Sequence, residues 1–375
     1  MDFYGFYTGT EFHAHEYLGA HVTDDGVVFR VFAPAASGIA VIGEFNEWNG
    51  DPMHKIYDGN FWECVIPTAK VGQMYKYRIY DQNGGCLDRC DPYGRRMELR
   101  PHSASIICGG GKQKFTDEKW LKTRDGGLDK PLNIYEIHAG SWRCKPDEED
   151  QRDVAEHWYN YRELADLLVP YLKENHYHYV EMMPLAEHPS DESWGYQISG
   201  FFSPTSRYGT PDDLKYLVNK CHNAGIGVIM DFVPVHFAVD DYALWNFDGT
   251  ALYEYPHSDV GKSEWGSCNF MHSRGEVRSF LQSAADYWLE EFHFDGLRMD
   301  AISNLIYWQG NPARGENKDA VQFLQNLNRG LKERFPTALL IAEDSTARPN
   351  ITTPVSAGGL GFDYKWDMGW MNDTL

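Results

Sequence analysis

The sequence contains no long uncharged apolar stretch, and it begins Met-Asp-Phe-Tyr-Gly-Phe-Tyr, without a basic cluster. We therefore expect neither a signal peptide nor a membrane-spanning helix. The seven cysteines are an odd number and form no CxxC pair and no zinc-like spacing. Scattered cysteines of this kind are typical of reduced thiols, so we predict a cytoplasmic protein without a metal site.

Basic residues are scarce: 34 Lys and Arg stand against 55 Asp and Glu, a net charge of −21. Such a surface repels phosphate backbones and anionic lipids, which disfavours nucleic-acid and membrane partners and favours a neutral polymer. Aromatic residues are abundant at 15%, with 12 Trp and 23 Tyr. Aromatic rings stack well on sugar rings, but large cores also use them, so both interpretations stay open.

The pattern of short elements divides the chain into two domains. From about residue 20 to 108, short alternating or apolar runs are separated by turn residues, which predicts an antiparallel β-sandwich. We place this domain at residues 1–112 and a linker at 113–130. In the remaining residues, 131–375, strands alternate with helices, a pattern typical of the parallel βαβ units of a (β/α)8 TIM-type barrel.

Apolar periodicity places the elements of this second domain. Helices are predicted at 161–174, 211–224, 276–291 and 320–335. Strands are predicted at 133–138, 179–183, 226–232, 294–299, 338–342 and 362–366. These are about six strands of the eight that a closed barrel needs, so we expect an incomplete barrel.

Acidic residues lie just past three of these apolar runs: Asp231, Asp300 and Glu343. In a barrel of parallel strands, polar residues at the C-terminal strand ends meet in one site. Arg298 precedes Asp300 by two positions, so both side chains leave the same face of the strand, where the arginine can hold the carboxylate ionised. Glu343 ends an apolar strand, an environment that favours a protonated acid. Two such carboxyl groups are what a glycosidase-type site requires, and a separation of about 5 Å between them would indicate a retaining reaction.

These residues also carry a resemblance to a known family. Three segments resemble motifs of the α-amylase superfamily of retaining α-glucan enzymes: Asp231-Phe-Val-Pro-Val-His236, Gly296-Leu-Arg-Met-Asp300-Ala and Ala342-Glu343-Asp-Ser-Thr. Three further segments narrow the resemblance to the 1,4-α-glucan (glycogen) branching enzymes: Ile134–Trp142, Glu187–Gln197 and Ser203–Pro211. The stretch Phe29–Asn49 is similar to the family 48 carbohydrate-binding module.

The resemblance implies a role for each candidate site residue. It makes Asp300 the nucleophile and Glu343 the acid/base. The residues implied to bind substrate, directly or through the arginine network, are Asp191, Tyr196, Asp231, His236 and Arg298. The implied partner is an α-glucan, and no cofactor is implied.

The implied reaction cleaves an α-1,4 bond and forms an α-1,6 branch in glycogen biosynthesis. Two alternatives stay open: an α-glucan hydrolase of the same superfamily, debranching or trehalose-releasing, and a glucan-binding protein without catalysis. The family's fourth motif, a His-Asp pair on the seventh barrel strand, does not occur before Leu375. We therefore expect the 375-residue chain to be an inactive fragment.

Overall fold

The computed structural model describes residues 1–145 and 157–375, and the helices and strands are numbered over these residues. The N-terminal part contains α1 (Phe3–Thr8), β1 (Gly19–Thr23), β2 (Gly26–Phe32), β3 (Gly38–Gly43), β4 (Asp51–Pro52), β5 (His54–Ile56), β6 (Phe61–Ile66), β7 (Met74–Tyr80), β8 (Cys86–Arg89) and β9 (Ser105–Ile106). The elements that follow are α2 (Glu118–Thr123), β10 (Ile134–Ile137), α3 (Tyr161–Glu174), β11 (Tyr179–Met182), β12 (Ala186–Glu187), β13 (Gly200–Pro204), α4 (Pro211–Asn223), β14 (Gly227–Phe232), β15 (His236–Phe237), α5 (Ser258–Gly261), β16 (Cys268–Asn269), α6 (Gly275–Glu291), β17 (Gly296–Met299), α7 (Ile302–Ile306), α8 (Lys318–Arg334), β18 (Leu339–Ala342), β19 (Tyr364–Lys365) and α9 (Met368–Thr374).

Two antiparallel sheets form the N-terminal domain. One has the strand order β1-β2-β6-β5 and the other the order β4-β3-β7-β8, with β9 beside β7. Along β7 the buried side chains alternate, and Tyr75 meets Phe29 of the opposite sheet with ring centroids 5.0 Å apart. Such alternation is what a sheet with one face on a core requires. The predicted β-sandwich is confirmed.

Six parallel strands form the second domain, in the consecutive order β10-β11-β14-β17-β18-β19. All four predicted helices are present within two residues of their predicted ends. Helix α4 begins at Pro211 with Thr210 as its N-cap, and Gly225 takes a φ of +79° just after its end. Because β10 and β19 each pair on one side only among the described residues, the sheet is a half-barrel, as expected from the strand count.

The first residues of the chain join the two domains, which the sequence did not predict. Helix α1 packs on α6, where Ser279 Oγ donates to the carbonyl of Phe6 at 3.0 Å. A Cβ on Gly275 would lie 1.7 Å from the carbonyl oxygen of Tyr7, so only glycine permits this approach. The β-sandwich also contacts helix α1, since the ring of Phe6 packs against Phe32 of β2.

The segment predicted as a linker contains helix α2 and is bonded to the barrel. The amide of Thr116 donates to Asn219 Oδ1 at 2.7 Å, and Trp120 Nε1 donates to Asp295 Oδ1 at 2.8 Å. The domain boundaries at 112 and 130 stay a prediction.

The structure also bears on the membrane and cysteine predictions. Within residues 1–145 and 157–375 there is no helix with the length and apolar character needed to cross a bilayer. All seven cysteines are free thiols.

Candidate active site

The two candidate catalytic residues directly follow two neighbouring strands. Met299, the last residue of β17, is in register with Ala342, the last residue of β18, so Asp300 and Glu343 occupy matching positions one step further. Backbone hydrogen bonds extend past the strand ends: Asp300 N donates to the Phe232 carbonyl at 2.9 Å and Glu343 N to that of Met299 at 3.0 Å. The sheet therefore holds both residues at its C-terminal edge.

A tight turn after Asp300 holds the Glu343 carboxylate in place. Ala301 has a φ of +46°, a left-handed conformation that costs a residue with a Cβ about 1–2 kcal/mol. Its backbone N–H donates to Glu343 Oε2 at 2.7 Å. The strained turn thus links the backbone next to Asp300 with the carboxylate of Glu343. The charge of Glu343 in turn raises the pKa of Asp300.

Arg298 connects Asp300 to a second buried carboxylate. Its Nη1 donates to Asp300 Oδ1 at 2.7 Å and to both oxygens of Asp231 at 2.8 Å. Tyr196 Oη donates to Asp231 Oδ2 at 2.7 Å. The ring of Trp366 lies against the guanidinium, with its centroid 4.4 Å from Cζ. These contacts fix Arg298, and a fixed arginine fixes the orientation of Asp300.

Burial and neighbouring charges set the ionisation of these groups. Burial raises the pKa of Asp300 to about 6; Arg298 opposes this shift and Glu343 adds to it. For Arg298, burial lowers the pKa, but the charges of Asp231 and Asp300 outweigh it and the net shift is upward. Arg298 is therefore always charged, and Asp300 is a carboxylate only above about pH 6.

His236 is a neutral, buried imidazole beside this network. Burial lowers its pKa to about 4. Its Nδ1 is buried and has no hydrogen-bond partner among the described residues. The Trp265 ring packs against it, with centroids 5.2 Å apart. A buried polar atom without a partner is costly, so this nitrogen calls for a physical explanation such as a bound water molecule.

One cavity of about 520 Å³ brings most of the predicted site residues together. It is lined by Tyr196, His236, Arg298, Asp300 and Glu343, among others. Asp231 lies behind Arg298, fully buried.

Asp191 is held by two arginines beside the cavity-lining segment Ser193–Gln197. Arg207 Nε donates to its Oδ1 at 2.7 Å, and Arg100 binds it through two nitrogens. Burial raises the pKa of Asp191, but these hydrogen bonds outweigh burial and the net shift is downward. Asp191 is not among the residues that line the cavity. Its contact with substrate stays a prediction.

Sequence reasoning missed three residues at this site. Trp265 lines the cavity and Trp366 covers Arg298. Glu181, on β11, is buried, and burial raises its pKa to about 7, with Arg298 opposing and Glu136 adding. A charge inside an otherwise apolar strand was a signal for Glu181, whereas nothing local marked Trp265.

One group of potential metal ligands occurs within the described ranges, and it lies outside the cavity: His13, Asp286 and Glu290. Arg334 donates to both oxygens of Asp286 and comes within 3.8 Å of Glu290. Because the arginine already supplies the positive charge, these residues do not indicate a cation site.

Comparison with known proteins extends these observations. Residues 17–94 match the family carbohydrate-binding module 48 (isoamylase N-terminal domain), and residues 168–247 match the family alpha amylase, catalytic domain. The whole chain is 49% identical to the 1,4-alpha-glucan branching enzyme GlgB of Fusobacterium nucleatum subsp. nucleatum and 43% identical to that of Marinobacter nauticus. It spans 60% and 61% of the length of these two proteins.

Among solved structures, a point mutant of pullulanase from Paenibacillus barengoltzii, complexed with maltotetraose, is similar in fold. The TM-score is 0.67 at 20% identity, over 87% of this chain and 52% of the pullulanase. The 375-residue chain thus resembles the 1,4-α-glucan branching enzymes over its whole length, and parts of it match module 48 and the alpha amylase catalytic domain.

Proposed function

We propose that this chain is part of a 1,4-α-glucan branching enzyme of glycogen biosynthesis. The observation that carries the proposal is the pair Asp300 and Glu343, placed at matching ends of β17 and β18 on one cavity. The branching enzymes that it resembles support the choice within the family. Because the chain spans about three fifths of these relatives, the activity concerns the whole protein.

In the first step, Asp300 attacks the anomeric carbon of a glucosyl unit. The bond from this carbon to the 4-oxygen of the next unit breaks, and Glu343 gives that oxygen its proton. Arg298 keeps the attacking carboxylate oriented through its 2.7 Å hydrogen bond to Oδ1 of Asp300. The product is a covalent glucan ester on Asp300.

In the second step, the 6-hydroxyl of an acceptor glucan attacks the same carbon. Glu343, now ionised, takes the hydroxyl proton, and the ester bond to Asp300 breaks. Two inversions at one carbon return the α configuration, so an α-1,4 bond is replaced by an α-1,6 bond. Water would compete for the ester, and its exclusion decides between transfer and hydrolysis.

The proposed partner is an α-glucan such as glycogen. A neutral polymer fits the net charge of −21, and the module-48 domain supports carbohydrate binding. A cytoplasmic location is part of the proposal and rests on the seven free cysteines.

A mechanism-based label tests the nucleophile. An α-maltosyl fluoride with a 5-fluoro substituent has a good leaving group and forms a slowly hydrolysed ester with the nucleophile of a retaining enzyme. After long incubation, peptide mass spectrometry should find the sugar on Asp300. The matched control, Asp300→Asn, should remain unlabelled, and Glu343→Gln should still be labelled because fluoride needs no proton. A label on another carboxylate would contradict the assignment.

A second assay separates branching from hydrolysis. The whole protein should lower the iodine absorbance of amylose while few reducing ends appear, because each cleaved bond is replaced by a new one. Reducing ends released in proportion to the iodine loss would support the hydrolase alternative instead.

A further inference from the structure

Trp265 is a large apolar side chain presented at the mouth of the catalytic cavity. It is 45% exposed and lines the same cavity as Asp300 and Glu343. One side of the indole packs against His236, with ring centroids 5.2 Å apart and planes inclined by 38°. The rest of the ring is open, so an apolar surface lies next to His236, which lines the same cavity.

A tight turn holds Trp265 at this position. The turn connects the hydrogen-bonded pair Lys262 and Cys268, and it contains Gly266 with a φ of +78°. Ser263 organises it: its N–H donates to the Ser267 carbonyl at 2.9 Å, and its Oγ accepts from the N–H of Trp265 at 3.2 Å. Both serines are buried, whereas the indole is not.

A second contact ties the turn to another lining residue of the cavity, Gln197. Gln197 Nε2 donates to the backbone carbonyl of Trp265 at 3.0 Å. Gln197 follows Tyr196, whose hydroxyl is bonded to Asp231. The backbone that carries the indole is therefore anchored to the loop that carries a candidate substrate-binding residue. A single exposed aromatic residue needs no explanation. Here, however, hydrogen bonds from Gln197 and to Ser263 fix the backbone of the exposed tryptophan beside the cavity, which suggests a binding role.

We propose that Trp265 binds the glucan: its indole stacks on the apolar face of the glucosyl unit next to the one that His236 and Tyr196 contact. This inference rests on the proposed function. A pyranose ring presents a flat face of C–H groups, which an aromatic face covers while the hydroxyl groups at the edge stay in water. A preorganised indole also binds with little loss of side-chain entropy.

Binding of maltoheptaose to the 375-residue chain provides the test, because it needs no turnover. In isothermal titration, Trp265→Ala should weaken the affinity about tenfold, which corresponds to about 1.4 kcal/mol. Trp265→Phe keeps an aromatic face and should bind within about threefold of the original chain. Trp370→Ala is the matched control, since Trp370 is 67% exposed on α9 and does not line the cavity. It should bind normally.

A site-specific probe shows where the sugar lies. In protein labelled with 5-fluorotryptophan, the ¹⁹F resonance missing from Trp265→Phe identifies Trp265, and maltoheptaose should shift it. A sugar that shifts other resonances but not this one would overturn the inference and leave the proposed function intact. A Trp265→Ala variant with unchanged affinity would do the same. If maltoheptaose binds nowhere on the 375-residue chain, the inference is wrong for this chain, and the iodine assay on the whole protein decides separately whether an α-glucan is the substrate.

Discussion

Asp295 is the centre of a buried polar network just before the start of β17, at the end of the sheet opposite Asp300 and Glu343. Its Oδ1 accepts from Trp120 Nε1 and from Arg124 Nη1, each at 2.8 Å. Its Oδ2 accepts from His222 Nε2 at 2.8 Å and from the N–H of Val228 at 2.7 Å. The first two donors belong to the segment predicted as a linker, so this one carboxylate attaches that segment to the barrel.

We expect Asp295→Asn to destabilise the barrel by about 3–5 kcal/mol. The asparagine side chain keeps one carbonyl oxygen, which can still accept two hydrogen bonds. Its NH₂ group replaces the other oxygen and cannot accept, so the two hydrogen bonds to that oxygen are lost. One of the two lost bonds has a charged donor, worth about 1.5–3 kcal/mol, and the other a neutral donor, worth about 1 kcal/mol. Loss of the charge also leaves Arg124 and the protonated His222 without a full counter-charge in a buried site.

Urea unfolding followed by tryptophan fluorescence measures this effect. Asp125→Asn is the control, because Asp125 lies in the same segment and its ion pair with Lys130 is exposed. Exposed pairs contribute little, so this variant should unfold as the original chain does. If Asp295→Asn lowered the free energy of unfolding by less than about 1 kcal/mol, the network would not be a structural support.

The pH dependence of this effect follows from the shifts. Burial lowers the pKa of His222, but Asp295 and Asp117 outweigh it and the net shift is upward. The stability from His222 is therefore complete below its unfolded pKa of about 6.5 and is lost as the pH rises through the folded value. Asp117 and Asp295 have lowered pKa values, because histidine and arginine contacts outweigh burial. Their contribution is complete above about pH 4 and is lost in acid, so the penalty should be largest between about pH 4 and 6.5.

Two further substitutions test how the buried acidic groups near Arg298 affect the free energy of unfolding. Glu181 has a folded pKa of about 7, above its unfolded value, so its stabilising contribution is lost as the pH rises through 7. Glu181→Gln should therefore make the protein more stable than the original at pH 8, by up to about 3 kcal/mol, and little different at pH 4; equal urea midpoints at pH 8 would refute the burial argument. Tyr196→Phe removes the 2.7 Å hydrogen bond to Asp231 and should lower the free energy of unfolding by about 1–2 kcal/mol. An unchanged midpoint would mean that Arg298 alone satisfies Asp231.

Local sequence patterns predicted the elements and the two carboxylates for a physical reason. Helix periodicity and apolar strands are short-range signals, and the strand ends of a parallel sheet meet at one edge. Asp300 and Glu343 needed only this rule to be paired. By contrast, the arginines that bind Asp191 include Arg100, which is 91 positions away, and nothing within a strand or helix pattern indicates such a partner.

The turn that carries Trp265 shows the same limit. Its position depends on the antiparallel pair β15 and β16, whose strands have two residues each, and on Gln197, which lies 68 positions away. Two-residue strands have no alternation to detect. Helix α1 escaped prediction because six residues are too few for a helix to form without the tertiary contacts that α6 supplies.

The placement of the site explains why an incomplete sheet can still hold it. Asp231, Arg298 and Glu343 lie on or next to β14, β17 and β18, which have a neighbouring strand on both sides, whereas β10 and β19 have one each among the described residues. Backbone hydrogen bonds on both sides and helices on the outer face hold these three strands in register. The ring of Trp366 covers Arg298. Trp366 lies next to β19, which has a neighbouring strand on one side only within the described residues. The arginine that holds Asp300 is therefore carried by the interior of the sheet, and Trp366, which covers that arginine, lies next to its edge.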